Sequence, residues 1–326
     1  MPLAPEALGP TIAIGEILAE IMATSRGEGF NEPVPMVGPY PSGAPAIFID
    51  QCGRMGGAAA MIGAVGDDDF GHSVLRRLRR DGVDVSAVHV DAELPTGTAF
   101  VRYRDDGARD FVFNMWTSAA GQLAWRDPVE RVVSAAGHLH VMGTLLPNAT
   151  LWPMIARAAA AVKARGGTVS FDPNLRPELR ADQDAAERYA QMVAMTDVLL
   201  PSDQELLGAA GLGPSADEAQ ALEQLFASGV KEIVVKRGAK GAECHSAEGA
   251  QAHAPAFAVE EVDPTGAGDC FGGAYVTARR LGLSVEQALT YGNAAGARNV
   301  TRRGPMEGAG SRAELDAFIA NTERLA

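Results

Sequence analysis

Apolar and polar positions along the chain alternate between two periods. TIAIGEIL (residues 11–18) is mostly apolar and predicts a buried strand near the start. PAIFIDQCGRMG (45–56) predicts a helix ending in glycine, and MIGAVG (61–66) predicts another strand. Phe70, Val74, Leu75 and Leu78 then fall at i, i+4, i+5 and i+8, one face of a helix, before DGVDVSAVHV returns to a strand. The pattern continues through strands at 138–143, 168–173, 197–202 and 231–238. Helices at 150–165, near 182–195 and after 202 separate them. Strands alternating with helices of ten or more residues predict an α/β fold: a doubly wound, mostly parallel sheet flanked by helices. Ligands are expected at the carboxyl ends of its strands.

One segment departs from this rhythm. TAFVRYRDDGARDFVFNM (98–115) is two alternating runs around Asp105-Asp106-Gly107-Ala108, which predicts a hairpin. With the glycine- and proline-rich stretch 27–45 it is expected to form a small β lid on one domain spanning residues 1–326. No repeat or low-complexity linker divides the chain.

Charge narrows the choice of partner. Lysine and arginine total 28 against 41 aspartate and glutamate, a net charge of −13. Such a surface repels nucleic acid and anionic lipid, and no dense basic block offsets it, so neither is an expected partner. A nucleotide would have to be held by local N–H groups, a few basic residues and a metal. No run of about 18 apolar residues is present to cross a membrane, and MPLAPEALGP lacks the basic-then-apolar pattern of a secretory leader. Cys52, Cys244 and Cys270 are widely spaced and never form a CxxC pair. They suit a reduced, cytoplasmic compartment and argue against a disulfide scaffold or a zinc site.

EVDPTGAGDCFGGAYV (261–276) carries the most specific chemistry. Phe271, Ala274, Tyr275, Ala278 and Leu281 continue at helical spacing to Gly282, which places Gly266-Ala267-Gly268-Asp269 at a helix N-terminus. Free N–H groups and the macrodipole favour negative charge there. Asp269 as a plain cap explains the acid but not the flanking glycines. The other reading is an anion hole for a phosphoryl group, with Asp269 accepting a proton from an attacking hydroxyl. Spacing alone leaves both open. Rival signals are weak: there is no GxxxxGK[ST] loop, no GxGxxG after a strand and no HExxH. His138 and His140 are better explained as strand residues than as metal ligands.

DPTGAGDCFGGAYV closely resembles DTxGAGD, the C-terminal signature of the ribokinase-like (PfkB) carbohydrate kinases, and the resemblance runs from about residue 11 to the last helix. It implies a ribokinase-like fold that transfers the γ-phosphoryl group of ATP to a primary hydroxyl of a sugar. It implies that Asp269 is the catalytic base and that the backbone of Gly266, Ala267 and Gly268 stabilises the transferred charge. Asp263 and Thr265 stand where some members bind a monovalent cation such as K+. GAVGDDDFG (63–71) is similar to GxVGxDxxG with Asp68 at its acid, although turn and capping duty suits at least two of these aspartates. FDPNLRP (171–177) matches DPNxR, which turns Asn174 and Arg176 toward substrate or phosphate. PSDQELLG (201–208) stands at NxxE: Ser202 replaces the asparagine, and Glu205 is retained for the Mg2+ shell. VVKRGAKG (234–241) resembles the nucleotide strand and turn, where Gly238 and Gly241 allow ATP to approach. YGNAAGARNVTRRGP (291–305) resembles the helix and loop beside adenine, with Asn293 its best-placed polar group.

The N-terminal half departs further. Glu20 stands where most members place the aspartate that grips sugar hydroxyls. SGAPAIFIDQCGRMG (42–56) aligns with GGxxxNxAxxxxxLG: Gly43 is kept at the sugar, Ser42 replaces the first glycine and Ile47 the asparagine. Isoleucine cannot bond a hydroxyl, which disfavours ribose. GEILAEIMA, GPYPSGAPAIFIDQ, GAVGDDDFG and TGTAFVRYRDDGARDFVFN are most similar to a bacterial tagatose kinase subgroup, which implies a ketohexose phosphorylated at its 6-hydroxyl. Fructose and 2-keto-3-deoxygluconate compete; the latter needs a basic partner such as Arg176, Arg102 or Arg104. A non-catalytic sugar-binding regulator is the reading from another class, against which the retained GAGD and Glu205 argue. Lid hairpins of this kind often pair subunits in the family, so a homodimer through the lid is expected.

Overall fold

The computed structural model describes residues 3–27, 30–105, 109–176, 178–179 and 183–325. Its strands are β1 Thr11–Ile14, β2 Leu18–Arg26, β3 Met36–Ser42, β4 Ala59–Gly66, β5 Val83–Asp91, β6 Gly97–Tyr103 and β7 Arg109–Asn114. They continue with β8 His138–Met142, β9 Thr168–Asp172, β10 Val198–Leu199, β11 Glu232–Lys236, β12 Ala242–Ser246 and β13 Gln251–Ala254. The helices are α1 Ala44–Arg54, α2 Asp69–Arg80, α3 Asp127–Ala135, α4 Trp152–Ala164 and α5 Ala185–Met195. After these come α6 Asp203–Ala209, α7 Glu218–Ala227, α8 Ala267–Arg280, α9 Val285–Val300 and α10 Arg312–Asn321.

Nine strands form the main sheet in the order β13-β12-β11-β10-β9-β8-β1-β4-β5. From β11 to β5 every pairing is parallel. Strands β1, β4, β8 and β9 are buried along their whole length, which is why they read as apolar runs rather than alternating ones. Helices cover both faces, with one core around Phe48, Met61 and Tyr275 and the other around Val141, Ile155 and Phe171. This is the expected doubly wound, ribokinase-like α/β architecture. The antiparallel pair β12–β13 at one edge was not anticipated, because its short, mixed strands carry little periodic signal.

Residues 11–18 are not one strand, as their apolar character had suggested. The chain leaves the main sheet at Gly15, whose φ is +151° and where an added Cβ would lie 2.6 Å from Pro45 Cγ. It resumes as β2 in a second sheet of four strands, ordered β3-β2-β6-β7. That sheet is the lid. It contains the 98–115 hairpin and the part of 27–45 that forms β3; residues 106–108 at the hairpin turn, and residues 28–29, lie outside the described residues. Leu18, Ala99, Met115, Ala120 and Leu179 pack beneath it.

Two further expectations can be placed. Asp68 caps α2, accepting from Gly71 N at 2.8 Å, and also bonds Thr96 N and Oγ1. His138 and His140 are buried and bonded to Thr168 and Ser170, so they act as strand residues. Among the described residues no helix is long and apolar enough to cross a membrane.

Candidate active site

Strand order reverses at β1, which has β4 on one side and β8 on the other. Crevices in open α/β sheets form at such a reversal, outside the carboxyl ends of the strands. A cavity of about 400 Å³ opens there, roofed by the lid. Glu16 enters it just past β1, Thr144 past β8, Asp172 and Asn174 at the end of β9, and Lys236 at the end of β11. The lid contributes Glu20, Ala99, Arg109, Phe111 and Phe113. A second cavity of about 470 Å³ lies between Gly238–Gly241, Phe271 and Asn293. Lys236, Gly238, Pro264 and Gly268 line both, so the two spaces meet where α8 begins.

Gly266 makes that junction possible. It is the N-cap of α8 with φ +78°, and a Cβ there would collide with the carbonyl oxygen of Pro305. The helix behind it is buried from Asp269 to Arg280, so its first N–H groups, which have no partner within the helix, are fixed in place. Gly266, Gly268 and Asp269 line the first cavity, and Ala267 and Gly268 the second.

Asp269 is 8% exposed, and its Oδ1 accepts from Asn174 Nδ2 at 3.2 Å. Burial pushes its pKa up to about 6, against the pull of Lys236, Arg176 and Arg109. Asn174 itself holds φ +38°, an uncommon value outside glycine, and its N–H donates to Asp172 at 3.2 Å. Lys236 Nζ donates to Asp172 Oδ2 at 2.5 Å. Burial opposes the lysine charge, but Asp172, Glu205 and Asp269 together raise its pKa, so it stays cationic.

Glu205 completes a capping box on α6. Its Oε2 accepts from Ser202 N and Oγ, and its Oε1 from Leu175 N at 2.9 Å. These donors and Lys236 outweigh burial and lower its pKa, keeping it ionised at the cavity edge. Ser202, which stands at the position of the expected asparagine, thus holds the Glu205 carboxylate in place. Asp263 accepts from Thr265 N, Gly304 N and Tyr103 Oη, while Arg109 donates to Thr265 Oγ1 at 3.0 Å and Asn299 Nδ2 donates to the Thr265 carbonyl at 2.8 Å. Tyr103 and Arg109 belong to the lid, so these contacts dock it on the loop before α8.

Not every expected residue reaches a cavity. Arg104 does not: its side chain is 51% exposed and pairs with Asp110 at 2.7 Å, and Arg102 binds the same acid. Arg109 occupies the position the reading had assigned to Arg104. Arg176 lies in the cavity with its guanidinium 5.6 Å from the Phe111 ring centroid, and Arg109 approaches the same ring at 6.0 Å. Glu20 and Gly43 line the first cavity, Gly241 and Asn293 the second, and Gly238 both. The Asn293 amide is engaged by the carbonyls of Ala254 and Pro255, at 2.8 and 3.1 Å. Sequence reasoning passed over Glu16, Arg109, Thr144, Asp172 and Lys236, although DPN sets Asp172 two positions before Asn174 and VKRG sets Lys236 two positions before Gly238, both of which it did single out.

Known proteins resemble this chain in sequence and fold. The profile of the pfkB family carbohydrate kinase matches residues 11–311. Fructokinase of Vibrio alginolyticus is 33% identical over 286 residues, 86% of this chain and 91% of that protein. Fructokinase-1 of Oryza sativa subsp. japonica is 30% identical over 305 residues, covering 90% and 93%. A protein from E.coli provisionally named Ribokinase II, in its apo form, superposes with a TM-score of 0.89 at 44% identity, covering 96% of this chain and 99% of that one. Its complex with ATP and Mg2+ gives 0.85 at 42%, with the same coverage.

Proposed function

The chain belongs to the pfkB family of carbohydrate kinases, and from that premise we propose that it moves the γ-phosphoryl group of ATP to the 6-hydroxyl of a ketohexose, D-tagatose ahead of fructose. The observation that carries this reading is the meeting of two cavities at Gly268, the residue before Asp269. A sugar in the lid-covered space and a nucleotide in the other face each other across one helix N-terminus.

Asp269 accepts the proton of the attacking hydroxyl. With a pKa of about 6 it is roughly nine-tenths ionised at pH 7. Asn174 holds one of its oxygens, leaving the other for the alcohol. The N–H groups opening α8, together with Lys236 between the two cavities, hold the charge that spreads over the phosphoryl oxygens. The lid excludes water, which would otherwise hydrolyse ATP.

Glu205 suits a magnesium ion that keeps its own waters: ionised, with three protein donors on a carboxylate that has about four acceptor positions. Such an ion neutralises phosphate charge when bound. Asp263 carries the same number of donors as Glu205, from Thr265 N, Gly304 N and Tyr103 Oη, and the Thr265 carbonyl carries one, so acceptor positions remain there for a monovalent cation. No step is assigned to one.

Tagatose is supported by the likeness of the lid and pocket stretches, and fructose by relatives named fructokinase. A carboxylated ketose is favoured by one feature, the arginines Arg109 and Arg176, which line the cavity with no acidic partner among the described residues. A cytoplasmic location and a homodimer through the lid, whose edge strands are β3 and β7, complete the reading. ADP release over a panel of ketohexoses, aldohexoses and keto-deoxy acids tests it, with the product located by phosphorus–proton NMR. Activity confined to aldoses, or none with any sugar, refutes the assignment.

A further inference from the structure

Glu16 plays no part in the mechanism above, yet it is 3% exposed and lines the sugar cavity together with Leu18 and Glu20. Alternate residues of an extended chain share a face, which puts the two acids on either side of Leu18. Each carboxylate is half used. Thr144 Oγ1 donates to Glu16 Oε1 at 2.9 Å, and Ser42 Oγ donates to Glu20 Oε2 at 2.5 Å. Glu16 Oε2 and Glu20 Oε1 are buried with no partner. A buried acceptor without a donor is costly, so two in one cavity indicate donors on the ligand. The apolar neighbours Ile47, Leu18 and Ala99 supply none.

We propose that Glu16 is a specificity-determining residue: its free oxygen accepts a hydrogen bond from one sugar hydroxyl while that of Glu20 accepts from another, both distinct from the hydroxyl presented to Asp269. The inference rests on the sugar-kinase reading and names the part of the substrate this chain selects, a pair of hydroxyl donors. Ile47, which lines the same cavity, offers a hydroxyl neither donor nor acceptor.

The surrounding charges make the contact measurable. Asp269 faces Glu16, and Glu20 is faced by Asp263, Arg109 and Asp269. Burial, joined by these acids, raises both carboxyl pKa values to about 7. A hydroxyl donor favours the ionised form, so sugar binding lowers both values and releases protons near pH 7.

Calorimetry of sugar binding to the whole protein, in two buffers of different ionisation heat, reads that release. Wild type releases protons. Glu16→Gln releases fewer and binds sugar about 10- to 100-fold more weakly, the range for a hydrogen bond to a charged group, with ADP affinity unchanged. Thr144→Val, which removes the donor that holds Glu16 Oε1 at the cavity wall, raises KM. Among monodeoxy ketohexoses, one position costs wild type most of its kcat/KM and costs Glu16→Gln little. Unaltered sugar affinity and proton release in Glu16→Gln, or the same deoxy profile in both proteins, overturns the inference while the kinase reading stands. A wild type that binds and phosphorylates no sugar defeats the kinase reading itself.

Discussion

Replacing Asp269 with asparagine separates chemistry from binding. The amide keeps the shape of the carboxylate, and its oxygen can still accept from Asn174 Nδ2, as Asp269 Oδ1 does at 3.2 Å. That orientation turns an NH2 group toward the sugar hydroxyl, where the reaction needs an acceptor. General-base catalysis of this kind is worth about 10²–10⁴ in rate, and turnover should fall by that factor. Folding should not suffer. The rise in the Asp269 pKa from 3.8 to about 6 means that the buried charge opposes folding by about 3 kcal/mol at pH 7. A neutral side chain removes that opposition, so the melting temperature should hold or rise. ATP affinity should be kept, because Lys236, Arg176 and the helix N–H groups remain. Coupled ADP release, nucleotide calorimetry and a thermal melt measure the three quantities. Turnover within about tenfold of wild type in a folded, ATP-binding variant would refute the base assignment.

Three more outcomes follow from the same geometry. Because Asp269 must be ionised to accept a proton and its pKa is raised to about 6, kcat/KM should rise with pH through that value and level only once Glu16 and Glu20, both near 7, are ionised too; a flat profile between pH 5 and 7 contradicts this. Lys236→Met removes the cation shared by both cavities and leaves Asp172 buried without its partner, so kcat should fall about 10²–10³-fold alongside a lower melting temperature. Asn299 is fully buried and donates to the carbonyls of Thr265 and Pro305; Asn299→Ala should cost about 1–3 kcal/mol in denaturant unfolding.

Much of this molecule could be read from its pattern. Fully buried parallel strands announce themselves as apolar runs, whereas glycines flanking an acid at a helix start left a plain cap and an anion hole open until the resemblance to the GAGD signature decided between them. What escaped notice depended on parity or distant partners. Ala99 faces the cavity, so on β6 the even position Arg102 turns away, as does Arg104 just past its end, while Arg109, Phe111 and Phe113 share the inward face of β7. Counting by twos along the hairpin would have preferred Arg109 over Arg104. Lys236 and Asp172 are ordinary strand-end residues until folding brings them together across 64 positions of sequence. The split of residues 11–18 was hidden because both halves are apolar; only the packing of Pro45 against Gly15 reveals it.

Tyr103 and Arg109 tie the roof of the proposed sugar space to Asp263 and Thr265, the residues that lead into the turn proposed to hold phosphate. Any ligand that steadies one therefore steadies the other. Such cooperativity is reciprocal: the factor by which a bound hexose tightens nucleotide must equal the factor by which nucleotide tightens the hexose. Cutting both tethers, with Tyr103→Phe and Arg109→Met, would bring that shared factor toward one.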